Sequence, residues 1–533
     1  MLKTQQLVVF DIFELWGMKN KVVFKPYIQH QGTLLPSSLE ELLPQDHIVR
    51  VINDLVDQLK LDTLLNEYKG GGTSSYHPRM MLKVWVFGYV MKVHSCRRLA
   101  KALREHIPFM WLGGMQQPDF RTLNHFRSNR MKAVIGDVFK QVVLFCVEEK
   151  YIDLNELFTD GTKYQANGNK HQVVWKKNTE RHKENVLSRI DKLLEEIDQT
   201  NEAENKKYGN KDLEETGGHK TKNSQELKQK IKTIGEQLNQ QQIDREKKKQ
   251  LAKATKELNK EAEKLAKYEE QEQALDGRNS YNKTDTDATM MRSKDDQLLP
   301  CYNVQHSTQN QIIVHFSVGQ NPNDATDFGP HLSSLPPELK PKAILADSIY
   351  GTEENYLLLQ DREIENYLMY PVFHAQQKPA FAKEIFRKEN FPYDAQTDTY
   401  TCPNKQTLAL KSEEEITLKS GLKTQEKRYQ AKGCRKCPFF KQCCKGKGNR
   451  TLKVRPRLDT FKAQARTNLT SERGISLRKQ RGVDAETPFA DIKHNQGHRR
   501  LVLRGKDKVA VEIGLINLAH NFKKINTFRQ EAA

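Results

Sequence analysis

Apolar residues recur at helical spacing through the first third of the chain. One such run spans 48–65. Another places four apolar residues on one helical face: Leu82, Val86, Tyr89 and Val93. Ser95 and Asp119 stand where a side chain can cap the start of a further helix. The pattern predicts an all-helical domain over residues 18–146.

Arginines are distributed along these predicted helices: Arg97, Arg98, Arg121, Arg127 and Arg130. Short helices with exposed arginines are typical of helix-turn-helix DNA-binding modules. A helical bundle with a basic surface explains the same pattern, so the pattern alone leaves both interpretations open.

Strand-like runs occur in two separate parts of the chain, residues 151–177 and residues 281–399. In the first part an apolar run leads into Asp160, and in the second the run KAILAD ends in Asp347. A β-hairpin over 301–318 is also expected. The pattern predicts an α/β core in two segments, with each aspartate at the end of a strand. An Asp-Gly pair is also a common turn, so Asp160 alone is weak evidence.

The residues between these segments, 178–280, are rich in Lys, Glu and Gln and carry regularly spaced apolar positions. These positions are Leu187, Ile190, Leu194 and Ile197, then Leu227, Ile231, Ile234 and Leu238, then Leu251, Leu258 and Leu265. The spacing predicts an antiparallel helical hairpin or coiled coil with a disordered break near 208–222. A long solvated spacer is the alternative, and either structure interrupts the α/β core.

A cysteine-rich stretch occupies residues 400–457. Cys402, Cys434, Cys437 and Cys443 (or Cys444) follow the pattern CP…CxxCPxxxxCC. Four thiolates at such spacing can hold a structural Zn²⁺ ion, as in a zinc ribbon. Reduced thiols without a metal are the alternative. The strip 445–457 carries only cations among its charged residues, as expected of a segment that contacts phosphates.

Composition narrows the class of partner. The 533 residues carry a formal net charge of +19 and a pI near 9.3, which favours a polyanion such as nucleic acid. The sequence has no apolar run of about eighteen residues, so no membrane span is expected. The opening stretch is a poor signal peptide, and Met18 is an alternative start to Met1. Eight cysteines without a secretory signal favour a reducing compartment, so we expect a cytoplasmic protein.

Three carboxylates are candidates for a metal-dependent site: Asp160, Asp347 and Glu486. Carboxylates that converge from separate segments hold two Mg²⁺ or Mn²⁺ ions about 4 Å apart in phosphoryl-transfer enzymes. Glu486 stands seven residues before Lys493, two helical turns, within the basic stretch 478–505. A solvated basic helix with a few charge-balancing acids is the alternative for this stretch.

Other acids compete for these positions. Asp484, Asp491 and Glu512 are rivals for the third carboxylate. Three further aspartates are more typical of caps or turns: Asp285, Asp287 and Asp324.

Four sequence segments occur along the chain in this order: TDGTKYQANGNKHQVVWKKN, TDTDATMMRSKDDQLLPCYNVQ, ILADSIYGTEENY and ETPFADIKHNQGHRRLVLRG. They resemble DDE transposases of bacterial insertion sequences, specifically insertion-sequence family 1182. The strings YHPRMMLKVWVFGY and PDFRTLNHFR resemble the N-terminal domain of that family. The resemblance covers most of residues 35–525.

The resemblance implies a ribonuclease-H-like core that the 178–280 insert interrupts and a helical part over 458–525 completes. It also implies that Asp160, Asp347 and Glu486 are the catalytic, metal-binding triad. Arg481 and Lys493 would contact transposon-end DNA, and three nearby cations are further expected DNA contacts: Arg499, Arg500 and Arg504.

The implied function is Mg²⁺-dependent cleavage at inverted-repeat ends and strand transfer into double-stranded target DNA, carried out by a homodimer. Two other functions fit the same residues. One is an inactive DNA-binding protein descended from a transposase, and the other is a nuclease that uses the same core without strand transfer.

Overall fold

The computed structural model describes residues 38–68, 75–208, 223–240, 245–293, 295–444, 446 and 448–532. The alternative start at Met18 and residues 209–222 of the predicted break lie outside this description. Within it, no helix is both long enough and apolar enough to cross a membrane.

The N-terminal part is helical, as its apolar spacing predicts. Its helices are α1 (Ile48–Gln58), α2 (Asp62–Asn66), α3 (Pro78–Val90), α4 (Cys96–Glu105), α5 (Ile107–Leu112), α6 (Phe120–Ser128) and α7 (Ile135–Glu148). The Asp119 carboxylate caps α6 by accepting a hydrogen bond from the Thr122 N–H at 2.7 Å. Ser95 precedes α4 but makes no side-chain cap.

Arg127 lies in the core of this domain rather than on its surface. Its side chain is buried, and its guanidinium stacks 4.3 Å from the centre of the Trp85 ring. The same group donates hydrogen bonds to the Tyr89 hydroxyl at 3.2 Å and to the His94 carbonyl at 2.9 Å. Arginine is well suited to such a site because its planar charge stacks on aromatic rings. The prediction that Arg127 belongs to a basic surface is therefore wrong.

A mixed six-stranded sheet forms the α/β core. Its strands are β1 (Glu156–Gln165), β4 (Thr289–Arg292), β5 (Leu298–Gln309), β6 (Ile312–Gly319), β7 (Ala343–Ala346) and β8 (Glu365–Leu368). Two short strands between β1 and β4, β2 (Val173–Trp175) and β3 (Ser280–Asn282), pair only with each other. The sheet has the order β4-β5-β1-β7-β8, and β6 also pairs with β5. β5 runs antiparallel to β1 and β6, whereas β7 and β8 run parallel to β1. The predicted α/β class and the 301–318 hairpin are confirmed.

The insert leaves the core and returns to it at one place. β2 and β3 form a two-stranded ribbon, and the described residues between them form three helices: α8 (Lys176–Tyr208), α9 (Ser224–Gln240) and α10 (Arg245–Leu275). Apolar positions from all three predicted stripes meet in one buried cluster that includes Ile190, Ile231 and Leu258. Because β2 and β3 pair, the insert begins and ends at neighbouring points, and β1 can still pair with β5 in the core sheet.

Short helices follow the hairpin: α11 (Asp324–Ser333), α12 (Glu353–Asp361), α13 (Phe373–Gln376) and α14 (Pro379–Lys383). Two buried histidines lie between α11 and the hairpin. His331 on α11 is hydrogen-bonded to Ser307 and Ser317, at 2.9 Å each, and its ring lies 4.7 Å from that of His315. Burial lowers the pKa of His315 to about 4.

Replacing His315 with Gln is expected to reduce the loss of stability on acidification. Between about pH 6.5 and pH 4 the unfolded chain binds a proton that the folded His315 excludes, so stability falls as pH decreases through that window. The effect is about 1.4 kcal/mol per pH unit for one histidine. Thermal unfolding at pH 7 and pH 5 should show a smaller drop in Tm for His315→Gln than for wild type. Burial also raises the pKa of Asp327, to about 6, but this acts in both proteins and cancels. Equal drops in Tm would contradict the claim that burial of His315 in the folded protein excludes a proton.

The cysteine-rich stretch folds as a separate antiparallel sheet of β9 (Tyr393–Asp394), β10 (Thr399–Thr401), β11 (Thr407–Thr417), β12 (Lys423–Gln430) and β13 (Thr451–Val454), with the short helix α15 (Phe440–Cys443). Cys434 belongs to its apolar cluster, and three further thiols pack against that cluster: Cys402, Cys443 and Cys444. All four are free thiols, as is Cys437. Backbone N–H groups donate to two of the sulfurs at 3.3 Å, from Gln406 to Cys402 and from Arg450 to Cys434.

The chain ends in a helical part: α16 (Pro456–Thr470), α17 (Glu472–Arg481), α18 (Thr487–Ala490) and α19 (Lys506–Ala532). α19 packs against α3 and α7 of the N-terminal domain and against β6 of the sheet. Most of its residues from Val509 to Ile525 are buried, so α19 joins the helical domain and the α/β core through one shared apolar cluster.

Candidate functional site

The sheet register brings Asp160 and Asp347 side by side. β1 pairs in parallel with β7 from Glu156↔Ala343 to Thr159↔Ala346, and the next residue on each strand is an aspartate. Because neighbouring strands lie about 4.8 Å apart, the two side chains start from adjacent backbones. Asp347 follows the last residue of β7, as predicted.

Asp160 does not end a strand. β1 continues to Gln165, because β5 pairs with it as far as Gln165↔Cys301. The prediction of a strand-end aspartate is therefore wrong at this position. Asp160 lies in the middle of β1, at the point where the pairing with β7 stops.

Backbone groups orient both carboxylates. The Gly161 N–H donates to Asp160 Oδ1 and the Ile349 N–H donates to Asp347 Oδ1, each at 2.9 Å. Burial raises the pKa of Asp160 to about 6; the Arg481 guanidinium opposes this rise, and the negative charge of Asp347 adds to it. A carboxylate in this environment is stabilised by a neighbouring cation.

Glu486 reaches the same place through a helical irregularity. α17 continues into a π-helical turn, Gly482–Glu486, before α18 begins. Hydrogen bonds in a π-turn join residues five apart, which brings residue 486 onto the side of residue 481. Arg481 Nη1 lies 3.2 Å from Glu486 Oε1, and its Nη2 lies 3.2 Å from Asp160 Oδ2. One guanidinium therefore links the first and third predicted acids, while the Glu486 side chain stays 65% exposed.

The rival acids have structural partners. Asp484 accepts hydrogen bonds from the Asn310 N–H and the Gln480 amide. Asp491 accepts one from Gln496 and pairs with His520, whose hydrogen bond lowers the pKa of this aspartate. Glu512 is buried, and its carboxylate accepts the N–H groups of Val502 and Leu503 at 2.8–3.1 Å. Asp285 and Asp287 accept the N–H groups of Gly505 and Lys506. Asp484, Glu512, Asp285 and Asp287 hold backbone N–H groups in place and Asp491 holds side chains, which favours Glu486 as the third member.

Apart from Arg481, the predicted DNA-contacting cations separate into two groups. Lys493 points at β1, where its ammonium donates to the Thr162 hydroxyl and the Lys163 carbonyl and lies 4.5 Å from the centre of the Tyr164 ring. The other three lie on an exposed segment beside the end of β1: Arg499, Arg500 and Arg504. Backbone hydrogen bonds from Gln165 to Arg499 and from Leu501 to Gln165 fix that segment. Arg500 and Arg504 line a concavity of about 440 Å³ together with Lys170.

Asp324 contributes a carboxylate that the sequence pattern assigned to a cap or turn. The cap of α11 is Asn323, whose side chain accepts from the Ala325 N–H. Asp324 itself lies over Gly161, and its Oδ1 accepts hydrogen bonds from Asn303 at 2.7 Å and Gln305 at 3.3 Å. The Tyr350 hydroxyl donates to the other end of the Gln305 amide. Only the three-dimensional pairing of β1 with β5 reveals this buried polar network behind Asp160.

The chemistry of the three acids fits a hard divalent cation, since carboxylate oxygens are the ligands that Mg²⁺ and Mn²⁺ prefer. Among the described residues, however, no three His, Cys, Asp or Glu side chains are arranged to hold a metal ion. At the acidic site this is consistent with Arg481, whose guanidinium lies between Asp160 and Glu486 in the position of a counter-ion. Binding a metal here requires that guanidinium to move aside.

Two segments match known protein families. Residues 401–526 match the model described as a transposase DDE domain, and residues 37–129 match the model described as a transposase domain, DUF772. Glu486 lies within the first match, and α1 to α6 lie within the second. No curated protein and no solved structure matched the chain. The two matches support a DDE transposase of the insertion-sequence type, an enzyme that acts on DNA. The mixed sheet and the helices around it fit a ribonuclease-H-like core.

Proposed function

We propose that this protein is a transposase of insertion-sequence family 1182 that cuts DNA at the ends of its element and joins them to target DNA. The observation that carries the proposal is the placement of Asp160 beside Asp347, with Glu486 tied to Asp160 through Arg481. Two carboxylates from separate strands thus lie side by side in the sheet, and a third, from the helical part, is linked to one of them through a shared cation.

In this proposal Asp160, Asp347 and Glu486 hold two Mg²⁺ or Mn²⁺ ions. When bound, such ions activate the attacking oxygen and stabilise the leaving oxygen of a phosphodiester. Arg481 offsets part of the negative charge of Asp160 and Glu486, and it would contact a DNA phosphate when these carboxylates hold metal. Lys493 holds the helical segment on β1, and Arg499, Arg500 and Arg504 contact the DNA backbone.

Two further features belong to the proposal. Two protomers assemble so that both element ends react in one complex; the apolar stripes of α8, α9 and α10 pack against one another within each chain. We also propose that Cys402, Cys434, Cys437 and Cys443 hold a structural Zn²⁺ ion. The packing of Cys402 and Cys443 against the apolar cluster that contains Cys434 supports this, although no three of the described side chains are arranged to hold a metal ion.

The zinc assignment predicts about one Zn²⁺ per chain in metal analysis of the purified protein. Cys434→Ser should lose that zinc and lower the Tm, because a structural zinc site contributes directly to folding. The exposed residue Lys419 on the same domain provides a control, since Lys419→Ala removes no candidate ligand. Protein without zinc would leave the alternative of reduced thiols.

A cleavage and joining assay tests the function. The substrate is a labelled duplex that carries the terminal inverted repeat flanking this coding sequence, offered with Mg²⁺ and a supercoiled target plasmid. Nicking at the repeat end and labelled plasmid products are expected, both lost with EDTA or with a scrambled repeat. Cleavage without joining would favour the nuclease. Specific binding without cleavage in Mg²⁺ or Mn²⁺ would favour the inactive DNA-binding protein.

A further inference from the structure

Helix α6 forms a ridge on the surface of the N-terminal domain. One face of the helix is buried through Leu123 and Phe126, and the opposite face exposes Arg121, Thr122, Asn124 and His125. A concavity of about 500 Å³ lies on one side of the ridge and another of about 390 Å³ on the other side. Arg121 and His125 line both, so the helix projects between two clefts.

The dimensions and shape of this ridge suit a DNA major groove. An α-helix with its side chains is about 10–12 Å across, and the major groove of B-DNA is about 12 Å wide. Clefts on both sides leave room for the two sugar-phosphate backbones that border the groove.

The exposed side chains are of the types that read base edges. Arg121, Asn124 and His125 are spaced three and four apart and so share one helical face. Arginine pairs with guanine and asparagine with adenine through two hydrogen bonds each. The Asn124 oxygen receives a hydrogen bond from Ser128 at 3.3 Å, but the residue is exposed and its amide lies at the surface.

Cations border the ridge where phosphates would lie. Arg97, near the start of α4, stacks on the Phe120 ring at 4.9 Å and lines the larger cleft. Arg130 stacks on Tyr68 at 3.8 Å and lines the smaller one. Val502, two residues from both Arg500 and Arg504, also lines the larger cleft. The ridge and the basic segment of the core therefore belong to one surface.

We propose that α6 is the helix that reads the sequence of the element end, with Arg121, Asn124 and His125 on base edges and Arg97 on a backbone phosphate. This inference rests on the proposed function, since it assumes that the partner is double-stranded DNA of defined sequence. It adds the residues that determine which sequence is recognised.

Selection of binding sites from a random duplex pool tests the inference without requiring cleavage. The full chain should enrich a motif, and Asn124→Ala and Arg121→Ala should each lose the preference at one or two positions of that motif. Competition between the motif and an unrelated duplex should show a specificity ratio about ten- to a hundredfold lower for these variants. Arg97→Ala should weaken binding to both duplexes equally and reduce its salt dependence.

Arg98→Ala is the matched control, because Arg98 is an exposed arginine of α4 that lines neither cleft. It should retain the motif, and all variants should keep the wild-type Tm. The inference is overturned if the wild type enriches no motif or if Asn124→Ala and Arg121→Ala retain the whole motif. Sequence-specific binding by a protein that neither cuts nor joins DNA would refute the proposed function and leave the role of α6 intact.

Discussion

Replacing Asp347 with Asn is expected to abolish cleavage at the element end, with a rate at least about a thousandfold lower than that of the wild type. The substitution keeps the size of the side chain and the oxygen that accepts the Ile349 N–H. It removes the negative charge beside Asp160, and metal affinity at a site of hard oxygen ligands depends on that charge. The fold and DNA binding should persist.

Rates of end nicking in Mg²⁺ and Mn²⁺, with DNA affinity measured in parallel, check this result. Asp361→Asn is a suitable control, because Asp361 is an exposed aspartate at the end of α12 in the same domain. It should cleave at the wild-type rate. Cleavage by Asp347→Asn within tenfold of the wild type would remove Asp347 from the site.

The third acid can be tested against its rivals in the same assay. Glu486→Gln should lose cleavage without a fall in Tm, since the Glu486 side chain is exposed and its carboxylate pairs with Arg481 at the surface. Asp491→Asn should keep cleavage but lower the Tm, because Asp491 holds the side chains of Gln496 and the buried His520. Its Tm should fall by several degrees, as expected for the loss of about 1–3 kcal/mol of buried hydrogen bonding.

The sequence pattern predicted a residue's position correctly where that position depends on a single strand or helix. Asp347 lies at a strand end because a short apolar run terminates there, and Asp119 begins α6 because a short acceptor before a helical run caps it. Asp160 was placed wrongly because strand length is a property of the pairing. The partner β5 extends β1 past the polar residues that usually mark a turn.

Features that depend on tertiary contact could not be predicted from spacing. Arg127 lies on a predicted helix like the arginines that are exposed, so the sequence pattern does not distinguish it from them. The Trp85 ring and the Tyr89 hydroxyl nevertheless form a buried site for its guanidinium. The position of Glu486 depends on the π-turn after Arg481, whereas the sequence pattern assumed a regular α-helix. Two features distinguished Glu486 from its acidic neighbours in the sequence: its spacing of seven residues from Lys493 and the resemblance to transposases.

Gly161 illustrates how closely the site depends on packing behind it, and Gly161→Ala is expected to impair both stability and activity. An added Cβ would lie 2.5 Å from the Gln305 amide nitrogen and 2.6 Å from Asp324 Oδ1. Neither group can swing away cheaply, because Gln305 is fully buried and bonded to Tyr350 and Asp324 is bonded to Asn303. Overpacking of this kind costs about 1–3 kcal/mol.

The strain falls on the residue next to Asp160, so β1 is expected to shift there. A displacement of about 1 Å at a reacting group can cost about a hundredfold in rate, which we expect for end cleavage by Gly161→Ala. The Tm should fall by several degrees. Gly136→Ala is the control: a Cβ at Gly136 in α7 meets no atom within 4 Å, so its Tm should be unchanged or slightly higher.

A second substitution locates the strain. Asp324→Ala removes one of the two groups that an alanine at position 161 would contact, at the cost of the hydrogen bonds that Asp324 accepts. It should therefore lower the Tm less in the Gly161→Ala background than in the wild type, and the double mutant should be more stable than additivity predicts. Additive losses would mean that the alanine is accommodated elsewhere. The preference for glycine after Asp160, the first of the proposed metal-binding carboxylates, would then lie in the backbone rather than in the close approach of Asp324.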